Sequence, residues 1–230
     1  MSSLSRITIY IIIILTGFLS LPAQKIFMTG DSHVFSKIYP QKIEEIFRTE
    51  HPEIEFSWWA KNGICFYSFN SHPEYFDSIF AFRPDILIVH LGTNGAYANN
   101  FSREAFRHEM ENFYSVLVDS LPEVKVVFVT PFTNKRRKYR KKGKWYVNNN
   151  NRAASDEIIS FVNEHPSTYF IDNNAEAGMK FLESRTLTRP DNVHLTALGY
   201  NILGEEVGAQ LLKLDNLWIK PDLPDGFERD

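Results

Sequence analysis

Five short apolar runs recur along the chain, and each breaks into a small polar motif. Lys25-Ile-Phe-Met-Thr29 ends at Gly30-Asp31, and Ile54-Glu-Phe-Ser-Trp-Trp59 at Asn62-Gly63. Ile86-Leu-Ile-Val-His90 ends at Gly92-Thr93-Asn94, Val124-Lys-Val-Val-Phe-Val129 at Thr130-Pro131, and Thr168-Tyr-Phe-Ile171 at Asp172-Asn173. Runs this short and this continuously apolar predict strands buried on both faces, and the Gly, Asn, Asp and Pro that follow predict turns. Amphipathic stretches of helical length lie between them, around 41–49, 103–121, 151–164 and 196–214. Strand alternating with helix predicts an α/β fold around a mostly parallel five-stranded sheet. In such sheets ligands bind outside the carboxyl ends of the strands, where these polar motifs fall.

The N-terminus departs from this rhythm. Arg6 is followed by an uncharged apolar run, Ile7 to Leu21, and then by Pro22-Ala23-Gln24, the layout of a secretory leader ending at Ala23. The run is shorter than the roughly 20 residues that span a bilayer as a helix. Leu21, larger than the residue usual at its position before a cut, keeps retention as a membrane anchor open. The expected organisation is a leader over 1–23, one domain over 24–214, and a C-terminal tail over 215–230 rich in Pro and Asp. With 230 residues, 43% of them hydrophobic, the chain builds one sizeable core. A formal charge of −3 gives no footprint of a nucleic-acid binder. Cys65 is the only cysteine, so no intrachain disulfide can form.

Candidate chemistry sits in the polar motifs. Ser32 directly follows the first strand, where a tight turn can present its hydroxyl; a plain turn or helix cap uses the same residues. Asp191-Asn-Val-His194 lies just before the last helix and supplies what a serine nucleophile needs, a base and a carboxylate to orient it. The competing reading is an ordinary turn after Pro190 and a surface histidine. Asn94 and Gly63 each end a strand and offer an amide or a backbone N–H to a developing oxyanion, or are simply turn residues. His33, His72, His90 and His108 lack the paired spacing of a metal site, so no metal or cofactor is implied. Trp58 and Trp59 sit in a predicted strand, where core packing is expected for both.

In combination, the order Ser, Gly, Asn, then Asp and His before the last helix resembles the SGNH hydrolases, or GDSL esterases, over about Lys25 to Leu214. The resemblance implies a flavodoxin-like three-layer α/β/α sandwich. It also implies Ser32 as nucleophile, His194 as general base and acid, and Asp191 as its partner. The oxyanion hole falls to the Ser32 and Gly63 N–H groups and the Asn94 side chain. His33 follows the serine where the family often has Leu, and Ala60-Lys-Asn-Gly-Ile-Cys65 matches the family's second motif only loosely. His90-Leu-Gly-Thr-Asn-Gly-Ala-Tyr97 and Pro190-Asp-Asn-Val-His-Leu-Thr-Ala-Leu-Gly-Tyr200 are similar to members that remove O-acetyl groups from peptidoglycan and related glycans. Many of those carry an acidic residue where Gly95 stands here.

The resemblance therefore implies an exported carbohydrate O-acetylesterase, periplasmic or extracellular. A lipase-like or thioesterase activity on longer acyl chains is the enzymatic alternative, and a non-catalytic glycan-binding protein the alternative of another class. The basic stretch Lys135-Arg136-Arg137-Lys138 through Lys144 reads as a solvated loop, with contact to an anionic surface as its other reading.

Overall fold

In the computed structural model, described residues are 23–96, 101–132, 138–141, 144–147, 150–173, 184, 186–191, 193–214 and 217–218. One compact unit spans Gln24–Trp218. The expected leader and the end of the tail, 219–230, lie outside the described residues apart from Ala23.

The five apolar runs are strands: β1 Lys25–Gly30, β2 Glu55–Ala60, β3 Ile86–His90, β4 Lys125–Val129 and, counting a later hairpin, β7 Thr168–Ile171. They pair in the order β2-β1-β3-β4-β7, every neighbour parallel. Side chains alternate between two cores, as the pleat requires. Ile26, Met28, Ile86, Ile88, Val127 and Val129 face one core. There they meet Tyr39, Ile43 and Phe47 of α2 (Ile38–Glu50) and Leu203, Val207 and Leu211 of α8 (Ala197–Leu212). Phe27, Leu87, Val89, Val126 and Phe128 face the other. Their partners are Phe66 and Phe69 of α3 (Phe66–Ser71), Ile79 of α4 (Asp77–Phe82), Met110 and Phe113 of α6 (Arg103–Ser120), and Ile158 and Phe161 of α7 (Asn150–Glu164). This is the three-layer α/β/α sandwich that the alternation and the resemblance implied. Trp58 and Trp59 pack half-buried against opposite cores.

Local chemistry sets the helix ends. Ser102 Oγ accepts from Ala105 N (3.0 Å) to start α6, and Thr196 Oγ1 accepts from Gly199 N (3.1 Å) to start α8. Helix α2 begins three residues before the apolar period suggested. Pro40 sits in its first turn, where no backbone donor is needed.

The basic stretch is corrected by the structure: it is not a plain loop. Lys138–Lys141 (β5) and Lys144–Val147 (β6) pair antiparallel, with Tyr139 opposite Tyr146 and Arg140 opposite Trp145. Aromatic and β-branched residues at 139 and 145–147 favour strands, and charge counting hid that propensity. Lys135, Arg136 and Arg137 lie outside the described residues, and of Lys138 only the backbone is described.

The sheet order places its switch point between β1 and β3: the chain leaves β1 for one edge, then crosses back to build the other side. Loops after these two strands diverge and leave a crevice, the usual ligand position in open α/β sheets. Ile88 lies fully buried on central strand β3. Ile88→Ala should lower unfolding free energy by about 2–5 kcal/mol in urea titration; a loss under about 1 kcal/mol would mean that this core is not close-packed.

Candidate functional site

Gly30 ends β1 because the backbone there leaves no room for a side chain. A Cβ would stand 2.7 Å from the His90 carbonyl oxygen and overlap Val34 Cγ2. The next residues turn at once into α1 (Ser32–Phe35), with Asp31 as its cap: Asp31 Oδ1 accepts from His33 N at 3.0 Å. Ser32 is thereby held at the carboxyl edge of the sheet, next to the switch point.

Thr188 and Leu195 form an isolated antiparallel bridge, closed by Arg189 N to His194 O (2.8 Å) and Thr196 N to Leu187 O (2.8 Å). This narrow loop carries Asp191 and His194. Asp191 Oδ1 accepts from the backbone N–H groups of Val193 (2.8 Å) and His194 (2.9 Å), a local Asx turn. The three-residue spacing thus lets the other oxygen, Oδ2, meet His194 Nδ1 at 2.7 Å. Nε2 of the same ring lies 2.9 Å from Ser32 Oγ. A carboxylate only accepts, so Nδ1 carries the proton and Nε2 faces the serine with its lone pair. Burial alone would raise the Asp191 carboxyl, but the hydrogen bonds from the His194 ring and the two backbone N–H groups hold it down at about 2.

The structure brings the other two predicted residues to the same cleft. Gly63 has φ +78°, a conformation that favours glycine, while a Cβ there would meet open space. Its need for glycine is conformational, not a matter of room. Asn94 lies on the short α5 (Thr93–Ala96) after β3. Its Nδ2 donates to Asp31 Oδ2 (3.2 Å) and to the Ile64 carbonyl (3.0 Å). Ser32, Gly63, Asn94 and His194 line a cleft of about 590 Å³ together with Phe35, Ser36, Asn62, Arg189 and Tyr200. A smaller pocket of about 330 Å³ shares Asn94 with this cleft and is lined by the aromatic Phe66, Tyr67, Phe101 and Phe106 together with Cys65, Gly95, Ser102, Ala105 and Glu109.

Sequence reasoning passed over Asp31, Phe35 and Arg189. Asp31 adjoins the serine in the motif, but only the fold shows its carboxylate reaching Asn94. Phe35, 48% exposed, and Arg189 had no motif signal. The sequence also left His33 and His90 without a role. Both rings are buried and stacked at 5.3 Å between centroids. Burial lowers both, His33 to about 3 with help from His194 and His90 well below the usual value with help from His33, so both are neutral.

A GDSL-like Lipase/Acylhydrolase family model matches residues 37–202, most of the chain. The chain belongs to that family. Solved structures similar to this GDSL-like chain include an acetyl xylan esterase, 16% identical with a TM-score of 0.63 over 81% of this chain and 99% of that one. A carbohydrate esterase family 3 structure from Talaromyces cellulolyticus is 15% identical, with a TM-score of 0.64 over 85% and 100% of the two chains. A peptidoglycan O-acetylesterase is 10% identical, with a TM-score of 0.69 over 84% and 92%. At these identities the likeness establishes a shared fold. No curated protein sequence matches the chain.

Asp31 also makes the GDSL-like fold pH-sensitive. Burial pushes its carboxyl from 3.8 up to about 7, against the pull of the His33 N–H bond. The titratable groups around it are the neutral His33 and His90 and the buried Tyr39 and Tyr200, whose hydroxyls burial raises further. The folded chain keeps the Asp31 proton to higher pH than the unfolded chain, so this group lowers stability as pH rises from about 4 to about 7. Asp191 acts oppositely, its contribution being lost as pH falls from 3.8 towards 2. His33 and His90 add stability as pH rises through the unfolded histidine value. Urea unfolding at pH 5 and pH 8 should show the wild type losing ground to Asp31→Asn by roughly 1 kcal/mol or more between the two. A difference independent of pH would contradict the buried titration.

Proposed function

We propose that this chain is an exported serine esterase that removes O-acetyl groups from a glycan, with Ser32 as nucleophile, His194 as base and acid, and Asp191 as its orienting partner. The observation that carries the reading is the continuous hydrogen-bonded path from Ser32 Oγ through the His194 ring to Asp191. Three side chains from two distant segments have no structural need to meet in this order at an open cleft.

The chemistry follows from the path. Ser32 Oγ attacks the ester carbonyl carbon while its proton passes to His194 Nε2, and the new imidazolium is stabilised by Asp191 against Nδ1. The carbonyl π electrons move to oxygen, and the oxyanion faces the Ser32 and Gly63 N–H groups and the Asn94 amide. Losing one such donor costs about a hundred- to a thousandfold in turnover. The intermediate collapses, the bond to the sugar oxygen breaks, and His194 returns its proton to that oxygen. Water, deprotonated by His194, then attacks the acetyl-Ser32 carbonyl, and acetic acid and free serine result.

A sugar as the alcohol part is supported by Phe35, exposed enough to stack on a pyranose ring, and by the polar Ser36, Asn62 and Arg189 of the cleft. The fold's likeness to esterases that act on acetylated glycans supports it too. Export rests on Arg6, the apolar run Ile7 to Leu21 and the Pro22-Ala23-Gln24 that follows. A second reading, hydrolysis of longer acyl chains, is favoured by the aromatic pocket that shares Asn94 with the cleft, which could take a chain rather than a methyl group.

Released acid from O-acetylated peptidoglycan, acetylated xylan and a long-chain nitrophenyl ester separates the readings. Acetate from a glycan, lost in Ser32→Ala by at least about a thousandfold, is the expected result. Release from the long-chain ester alone would move the assignment to the second reading, and turnover retained in Ser32→Ala would overturn both.

A further inference from the structure

We propose that Asp31 is the positioning residue of the oxyanion donor: its buried carboxyl group cross-links the nucleophile turn to the Asn94 amide and sets the direction of Nδ2. The proposal rests on the serine-esterase reading of the same cleft.

Parallel pairing of β1 with β3 puts Gly30 opposite His90, so the turns after the two strands lie side by side. Asp31 N donates to the His90 carbonyl at 3.3 Å, and its side chain then spans the remaining gap. Oδ1 holds the His33 N–H at 3.0 Å, one residue beyond the nucleophile, while Oδ2 takes a hydrogen from Asn94 Nδ2 at 3.2 Å. The second Nδ2 hydrogen goes to the carbonyl of Ile64, the residue after Gly63. One amide is therefore tied to the turns that follow β1 and β2, and its plane is set by both. Both Nδ2 hydrogens are engaged in the resting cleft, so an oxyanion must share one of them, and the two fixed acceptors set the plane in which that hydrogen is offered.

A capping role alone does not account for this residue. The helix it caps has four residues, and serine or asparagine caps as well. A carboxylate with no exposed surface and only neutral donors carries a desolvation cost that either of those would avoid. What aspartate alone supplies here is a second acceptor, and that acceptor is the one on Asn94. Asp31→Asn can keep the His33 bond through its amide oxygen but sets NH₂ against NH₂ at Asn94. Asp31→Ser keeps a short cap and removes the second acceptor altogether.

The test is a double-mutant cycle on 4-nitrophenyl acetate, with Asn94→Ala as the second change and thermal melts confirming that each variant folds. Asp31→Asn and Asp31→Ser should each lower kcat by about ten- to a hundredfold with KM within roughly twofold, and in the Asn94→Ala background each should cost less than about threefold. Equal losses in both backgrounds, or no loss in either, would overturn the proposal. Failure of the underlying reading looks different: Ser32→Ala would then retain turnover, whatever the cycle returns.

Discussion

The contact on which the rest of the site depends is the parallel ladder between Lys25–Gly30 and Ile86–His90, at the point where strand order reverses. Both strands are buried and terminate in register, so their following turns must share the same few ångströms of sheet edge. Gly30 permits that approach, because any side chain there would strike the His90 carbonyl and Val34. Ser32 and Asn94 are neighbours for this reason, despite standing 62 residues apart in the chain. The remaining partners are delivered by a loop that owes nothing to the sheet: the bridge of Thr188 with Leu195 and the Asx turn of Asp191 pre-form the His194 geometry.

Two carboxylates a short distance apart are driven in opposite directions by their surroundings. Asp191 is half-exposed, receives three hydrogen bonds and has its carboxyl held down at about 2. Asp31 is fully buried, with two neutral donors, and holds its proton to about neutrality. The first environment keeps a negative charge beside the His194 ring; the second favours the neutral carboxyl.

The strands were legible because buried parallel strands read as unbroken apolar runs; Ser32, Asp191 and His194 were singled out only by the combined order of their motifs, each of which alone also reads as a turn, and the structure brings the three side chains together. The short helices Ser32–Phe35, Phe66–Ser71, Asp77–Phe82 and Thr93–Ala96 were not legible, since four to six residues are too few to show a helical period. The hairpin at 138–147 hid under its own charge. The link from Asp31 to Asn94 depends on a strand register, which no local pattern carries, and the cleft positions of Phe35 and Arg189 depend on the folded loops. Gly63 was legible as a turn, yet its reason, a positive φ facing open space, is visible only in three dimensions.

The central claim is that Ser32 Oγ is the activated nucleophile. Incubation with a fluorophosphonate, followed by mass spectrometry of the peptides, tests it without any assumption about substrate. The account predicts a single phosphonyl adduct on Ser32, formed far more slowly in His194→Ala. An adduct on another residue, or labelling of Ser32 at the same rate without His194, would contradict it.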